Sequence, residues 1–236
     1  MLLFLVWSLL ILIIFYNMTI SLLTKNKLKF TQFILKLFIN INNFSYTIIN
    51  SLAVRANGGI HPKHEILKYH DFFLNNIIRS DIVLDIGCGN GALAFDLAAT
   101  ARQIIAIDNV AGNIDLAKNK FKKDNIQYIT GDVTTYVFNN KFDALVLSNV
   151  LEHIKDRINF LKKISNLSSK FLIRVPLVDR DWLTIYKKNL GLEYKLVKDH
   201  FVEYTLETFT DELKSAGLKI ETYRINFGEI WAVVKK

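Results

Sequence analysis

Asp85, Asp108 and Asp132 stand at or near the ends of successive apolar runs, and a glycine-rich segment follows the first of them. The segment Val83-Leu84-Asp85-Ile86-Gly87-Cys88-Gly89-Asn90-Gly91 reads as a strand entering a tight turn that opens a helix. Glycines in such a turn let the backbone approach a ligand closely. Asp85 decides what kind of ligand. A carboxylate just before the loop repels a pyrophosphate and suits a ligand that carries a cation, through a direct or water-mediated hydrogen bond to an ammonium group. Asp108 closes Ile104-Ile105-Ala106-Ile107 about 20 residues past the loop, where an acid can accept both hydroxyls of a ribose. Asp132, in Thr130-Gly131-Asp132-Val133, either accepts from an exocyclic amine of adenine or only closes a Gly-Asp turn.

The elements that must hold these groups follow from the alternation of apolar runs. Strands are expected at Ile82–Ile86, Ile104–Ile107, Ile126–Ile129, Phe142–Leu147 and Phe171–Val175. Helices are expected at Glu65–Ile78, Ala92–Ala101, Ile114–Lys122 and Ile154–Leu167. Continuous apolar strands between helices indicate a doubly wound, mostly parallel α/β sheet covered on both faces. Thr205–Ala216 reads as a last crossover helix ending at Gly217, and Leu218–Ile225 with Glu229–Val234 as an antiparallel hairpin.

Three acids at three strand ends fit a ligand made of an amino acid, a ribose and an adenine, the parts of S-adenosylmethionine. At Val83–Gly91, Asp108, Gly131-Asp132-Val133 and the stretch Phe142–Lys155 with Asn149-Val150-Leu151-Glu152-His153-Ile154, the sequence resembles the class I S-adenosylmethionine-dependent methyltransferases. The last stretch is similar to their small-molecule branch, which includes ubiquinone-biosynthesis-type enzymes. The resemblance covers about His64 to Lys236. It implies a Rossmann-like seven-stranded sheet with an antiparallel last strand and S-adenosylmethionine as methyl donor. It assigns donor binding to Asp85, Gly87, Cys88, Gly89, Asp108, Asn109, Asp132, Val133 and Asn149. Cys88 reads as a small filler in the loop, since no base adjoins it in sequence.

Methyl transfer from an activated sulfonium asks for placement, exclusion of water and, for hydroxyl acceptors, removal of a proton. Candidate bases are His153 after the fourth strand, His61 and His64 ahead of the first helix, and Asp199-His200 with Glu203-Tyr204; of these His153 and His200 are the candidate catalytic residues, His200 lying in the insertion Asp179–Thr205, where this family builds acceptor specificity. Each has a plain alternative, with His153 capping a helix start and Trp182, Tyr186 and Tyr194 merely holding the insertion together rather than walling a pocket. No metal site is expected, because the single cysteine cannot form a multi-cysteine zinc site.

Residues 1–23 carry no charge, and at about 1.5 Å per residue they span a hydrocarbon core of about 30 Å. No Lys or Arg precedes the run and no Ala-x-Ala follows it, which argues against a cleaved signal peptide. Lys25, Lys27 and Lys29 follow it, so an N-terminal hydrophobic membrane-anchor helix with the rest of the chain on the cytoplasmic side is expected. Residues 24–57 then read as an amphipathic linker helix, with Phe30, Phe33, Ile34, Leu37, Phe38, Ile41, Phe44, Ile48 and Leu52 at helical spacing. The catalytic domain is expected at 58–236.

The 236 residues are 51% hydrophobic and 22% charged, which excludes intrinsic disorder. The formal charge of +8 comes without an Arg-rich tract or an aromatic ribonucleoprotein motif, and Ser148-Asn149-Val150-Leu151 stands where a nucleic-acid methyltransferase would carry its amino-gripping motif. The expected partners are a small or lipid-linked acceptor and a membrane, not nucleic acid. A membrane-bound interaction protein on the same fold is the competing function, told apart by binding of labelled donor.

Overall fold

The computed structural model describes Ile14 and residues 27–58 and 61–236. The chain divides into two compact units, residues 1–62 and 63–236. In the first, helix α1 runs over Lys27–Ala56, where the three-four spacing predicts one. Its apolar side chains Leu28, Phe33, Phe38, Phe44 and Leu52 are exposed. The anchor expected over residues 1–23 lies, Ile14 apart, outside the described residues. Among the described residues no helix is long and apolar enough to cross a membrane.

The second unit opens with α2 (Lys63–Leu67) and α3 (Tyr69–Leu74). The continuous helix expected over Glu65–Ile78 is therefore broken. Lys68 adopts φ 48, and the turn lets Tyr69, Phe72 and Phe73 reach the core while Ile66 stays exposed. There follow β1 (Ile82–Ile86), α4 (Ala92–Leu97), β2 (Gln103–Asp108), α5 (Ala111–Lys120), β3 (Ile126–Thr130) and β4 (Ala144–Ser148). A 3₁₀ turn at Leu151–His153 precedes α6 (Arg157–Ile164), β5 (Lys170–Pro176) and α7 (Trp182–Asn189). The chain ends with α8 (Leu206–Ser215), β6 (Lys219–Asn226) and β7 (Glu229–Lys235). The helix expected over Ile154–Leu167 starts late because Ile154 is extended and Asp156 opens the helix instead, accepting from Phe160 N–H.

The seven strands lie in the order β3-β2-β1-β4-β5-β7-β6. β1 to β5 are mutually parallel, and β7 runs antiparallel to both β5 and β6. The expected mixed sheet with an antiparallel last strand is what the chain forms. Side chains of period two are sorted to opposite faces. Leu84, Leu145, Leu147, Phe171 and Ile173 pack with Phe160 and Leu161 of α6 and Phe209 and Leu213 of α8. Val83, Val146, Leu172 and Trp231 pack with Phe72 and Phe73 of α3, Leu93 and Leu97 of α4 and Ile114 of α5. The edge strand β6 is largely exposed, and a register shift between Ile220 and Thr222 with Lys219, Glu221 and Arg224 along it discourages edge-to-edge pairing.

Chain connections diverge between β1 and β4, which are neighbours in space but not in sequence. In open α/β sheets the crevice beyond the carboxyl ends at such a switch point is where ligands bind. The glycine turn after β1 borders it. Gly91 has φ 84, and a Cβ there would lie 2.7 Å from Ala117 Cβ and 2.8 Å from the Tyr128 hydroxyl. Gly91→Ala should therefore cost about 2–4 kcal/mol of stability from a left-handed alanine and overpacking, read as a lowered denaturation midpoint.

Candidate active site

The loop after β1 is tied to the end of β2. Gly87 and Cys88 N–H both donate to Ile107 O, at 2.8 and 3.1 Å, and Gly89 N–H donates to Asp108 Oδ2 at 2.9 Å. The other Asp108 oxygen accepts from Val110 N–H at 2.9 Å and Asn113 Nδ2 at 3.2 Å. Asp108 thus fixes the glycine loop and the turn into α5 together. Gly89 has φ 53 and nothing within 4 Å of where a Cβ would sit, so the loop keeps open space above it. Cys88 is buried, and burial followed by the charges of Asp85 and Asp108 pushes its thiol far up, which makes it the inert filler the sequence suggests.

Asp85, 1% exposed, leaves its Oδ2 buried with no hydrogen-bond partner. Desolvation, with a smaller contribution from Asp108, raises its pKa to about 8. At the end of the adjoining strand, Asn149 is held at φ 58 by its N–H to Arg174 O at 2.8 Å, and its Oδ1 is likewise buried and unpartnered. Two orphaned acceptors beyond neighbouring strands are costly unless a ligand donates to them. An ammonium group supplies both donors and charge.

The remaining donor-side candidates are peripheral. Asn109 is exposed and Val133 is half-buried against the core. Asp132 is exposed and spends Oδ1 on Thr134 N–H and Oγ1, at 2.8 and 2.7 Å; those bonds hold its carboxyl below the usual range. The turn-closing alternative for Asp132 is visible in this geometry, and its second oxygen carries no such bond to Thr134.

His153 and His200, distant in sequence, meet edge to face with ring centroids 4.7 Å apart. His153 Nδ1 lies 3.1 Å from Asp199 Oδ2. Burial lowers the His153 pKa and the Asp199 charge partly opposes it. His200 is buried, its Nδ1 3.1 Å from Glu203 Oε1. Glu203 organises the insertion, accepting also from Arg180 and from Leu196 N–H. Burial pushes its carboxyl up, but the bonds from His200, Leu196 and Arg180 outweigh that and hold it low. Phe201 N–H donates to Glu152 O at 2.7 Å and fastens the insertion to the 3₁₀ turn. Trp182 and Tyr186 are exposed on α7.

Sequence reasoning missed Glu152 itself. It is fully buried, neither side-chain oxygen has a hydrogen-bond partner, and desolvation raises its pKa to about 8. The only local signal was a carboxylate four residues beyond the end of the apolar strand Ala144–Ser148. Also missed was the buried pair in which Arg174 donates to both oxygens of Glu229 at 2.6 Å under the Tyr69 ring.

Asp85 and Glu152 make stability depend on pH. Both native pKa values lie above the unfolded ones, so between about pH 4 and pH 8 the native chain keeps protons that the unfolded chain has lost. Stability of the ligand-free protein should fall as pH rises through that window and level off above it. Denaturation midpoints at several pH values should show the fall, and Asp85→Asn should flatten part of it.

A sequence family described as "Methyltransferase domain" matches residues 84–170. A ubiquinone biosynthesis O-methyltransferase of Bradyrhizobium diazoefficiens is 33% identical over 117 residues, 48% of this chain and 46% of the relative. N-methyltransferase 4 of Papaver somniferum is 37% identical over 91 residues, covering 36% of this chain and 26% of the relative. The chain thus spans about half or less of the length of these curated relatives. Among solved structures, the DhpI–SAH complex shares the fold at TM-score 0.59 and 16% identity, covering 80% of this chain and 93% of that one. The N-methyltransferase NodS of Bradyrhizobium japonicum, in complex with S-adenosyl-L-homocysteine, does so at TM-score 0.54 and 16% identity, covering 71% and 85%.

Proposed function

We propose that this chain, whose residues 84–170 match the methyltransferase-domain family, is a methyltransferase of the class I S-adenosylmethionine-dependent kind and transfers a methyl group from that donor to a small or lipid-linked acceptor at a membrane surface. The observation that carries the reading is the orphaned Asp85 carboxylate beside the open glycine loop, a buried acid that becomes stable as an anion only against a cationic ligand. When bound, S-adenosylmethionine supplies a sulfonium methyl already activated for transfer. Asp85 and Asn149 hold the amino-acid end, the loop at Gly89 admits the ligand backbone, and Asp108 accepts from the ribose. On the acceptor side, His153 and His200 face the incoming hydroxyl or amine, and their Nδ1 contacts with Asp199 and Glu203 leave Nε2 as the nitrogen able to take its proton.

Membrane attachment belongs to the same reading. Residues 1–64 contain no Asp or Glu, Lys25 follows the apolar run in sequence, and Lys27, Lys29, Lys36 and Arg55 of α1 lie among apolar side chains that the helix leaves exposed. That charge pattern suits an anionic cytoplasmic leaflet. Incubating the full chain with methyl-labelled donor and a lipid extract of its host should yield a labelled lipid-soluble product. Label confined to the polar fraction would remove the lipid-linked acceptor, and no labelled product would overturn the activity. In fractionation the full chain should sediment with membranes and resist alkaline carbonate; recovery in the soluble fraction would overturn the attachment.

A further inference from the structure

We propose that the flank of the sheet carries a second ligand site, separate from the donor crevice, which takes a small aromatic carboxylate. An open cavity of about 240 Å³ lies between strands β6 and β7 and the end of α3, with Phe72, Trp231, Asn75, Asn76 and Arg224 among its walls. A cavity of roughly 150 Å³ already admits a benzene ring. Arg224 stands in register with Trp231, Arg174 and Ser148 across the sheet. Three strand spacings, about 14 Å, therefore separate it from the end of β4 at the crevice.

The Arg224 guanidinium lies 4.4 Å from the Trp231 ring centroid and 5.8 Å from that of Phe72. Stacking occupies the flat face of a guanidinium and leaves the N–H donors in its plane free. Among the described residues those donors have no hydrogen-bond or carboxylate partner, whereas Arg157, Arg174 and Arg180 are each paired with a glutamate. The two rings thus hold ready a cation that the fold leaves uncompensated, and a ligand meets it at little ordering cost. No acid is among the described residues that line the cavity. Glu229 on β7 is taken by Arg174 and by Trp231 Nε1 at 3.0 Å, and Glu221 on β6 pairs with Lys235. Asn76 Nδ2 donates to Phe72 O at 2.7 Å and steadies the end of α3, beside which the Asn75 amide opens to the cavity.

A planar carboxylate matches the guanidinium fork, accepting two parallel N–H bonds. A ring attached to it packs against the Phe72 and Trp231 side of the cavity, which a bare oxyanion would leave wet. Apolar walls with a few convergent polar groups are the usual form of a small-molecule site. Nothing in this site depends on methyl transfer.

The test titrates benzoate into the full chain in detergent, following heat and the NMR line width of the ligand. One equivalent should bind saturably. Arg224→Met keeps an unbranched stem over Trp231 but loses the donors, and it should weaken benzoate at least about tenfold. Arg224 is exposed, so the variant's thermal midpoint should match that of the wild type. Benzyl alcohol, a ring without the charge, and inorganic phosphate, a charge without the ring, should each bind at least about tenfold more weakly than benzoate. Absence of saturable benzoate binding, equal binding by folded Arg224→Met, or phosphate bound as tightly as benzoate would overturn the proposal.

Discussion

Replacing Gly89 by valine should reduce S-adenosylmethionine binding below detection while the protein remains folded. Beyond its chain neighbours, no atom lies within 4 Å of the position a Cβ would take, so the new side chain starts into the space that the loop holds open. Its φ of 53 lies in the left-handed region, which costs a β-branched residue about 1–2 kcal/mol, a modest drop in stability beside the loss of a binding site. Equilibrium dialysis with labelled donor reads the effect. Retained binding would show that the loop is a structural turn and that the ligand lies elsewhere.

Asp108→Ala should weaken donor affinity by about 10- to 150-fold, the equivalent of about 1.5–3 kcal/mol for charge-assisted hydrogen bonds left unmade. Two causes combine. The ribose loses its acceptor, and Gly89 N–H, Val110 N–H and Asn113 Nδ2 lose the carboxylate that sets the loop against the entrance to α5. Asp108→Asn separates them, since it keeps an acceptor for the loop but loses the charge and one acceptor oxygen. Calorimetry should place Asp108→Asn between wild type and Asp108→Ala. Unchanged affinity in a folded Asp108→Ala protein would remove the ribose assignment.

The glycine turn, the acids at the strand tips and the Thr205 helix start were legible because each is a local pattern. Thr205 indeed caps α8 through Thr208 N–H at 3.1 Å. The break at Lys68 was not legible, because a lysine at φ 48 gives no compositional signal and is imposed by the need to turn Tyr69 and Phe73 onto the sheet. The acceptor side was half legible. His153 and His200 were recognisable as residues that do chemistry, but their encounter depends on Glu203 gathering Arg180, Leu196 and His200, a contact set that no periodicity encodes. Glu152 was hidden for the opposite reason. A carboxylate in an apolar stretch reads as exposed, and only the fold reveals that it is enclosed without a partner.

Calorimetric titration of S-adenosylmethionine into the full chain at pH 7 tests most directly whether the donor's ammonium group binds at Asp85. Asp85 holds a proton there in the free protein, its pKa being about 8, and must release it to face a cation. Repeating the titration in buffers of different ionisation enthalpy should show saturable one-to-one binding with release of most of a proton, and that proton should vanish, along with at least tenfold of affinity, in Asp85→Asn. Binding without proton release, or equal affinity in the variant, would contradict the account.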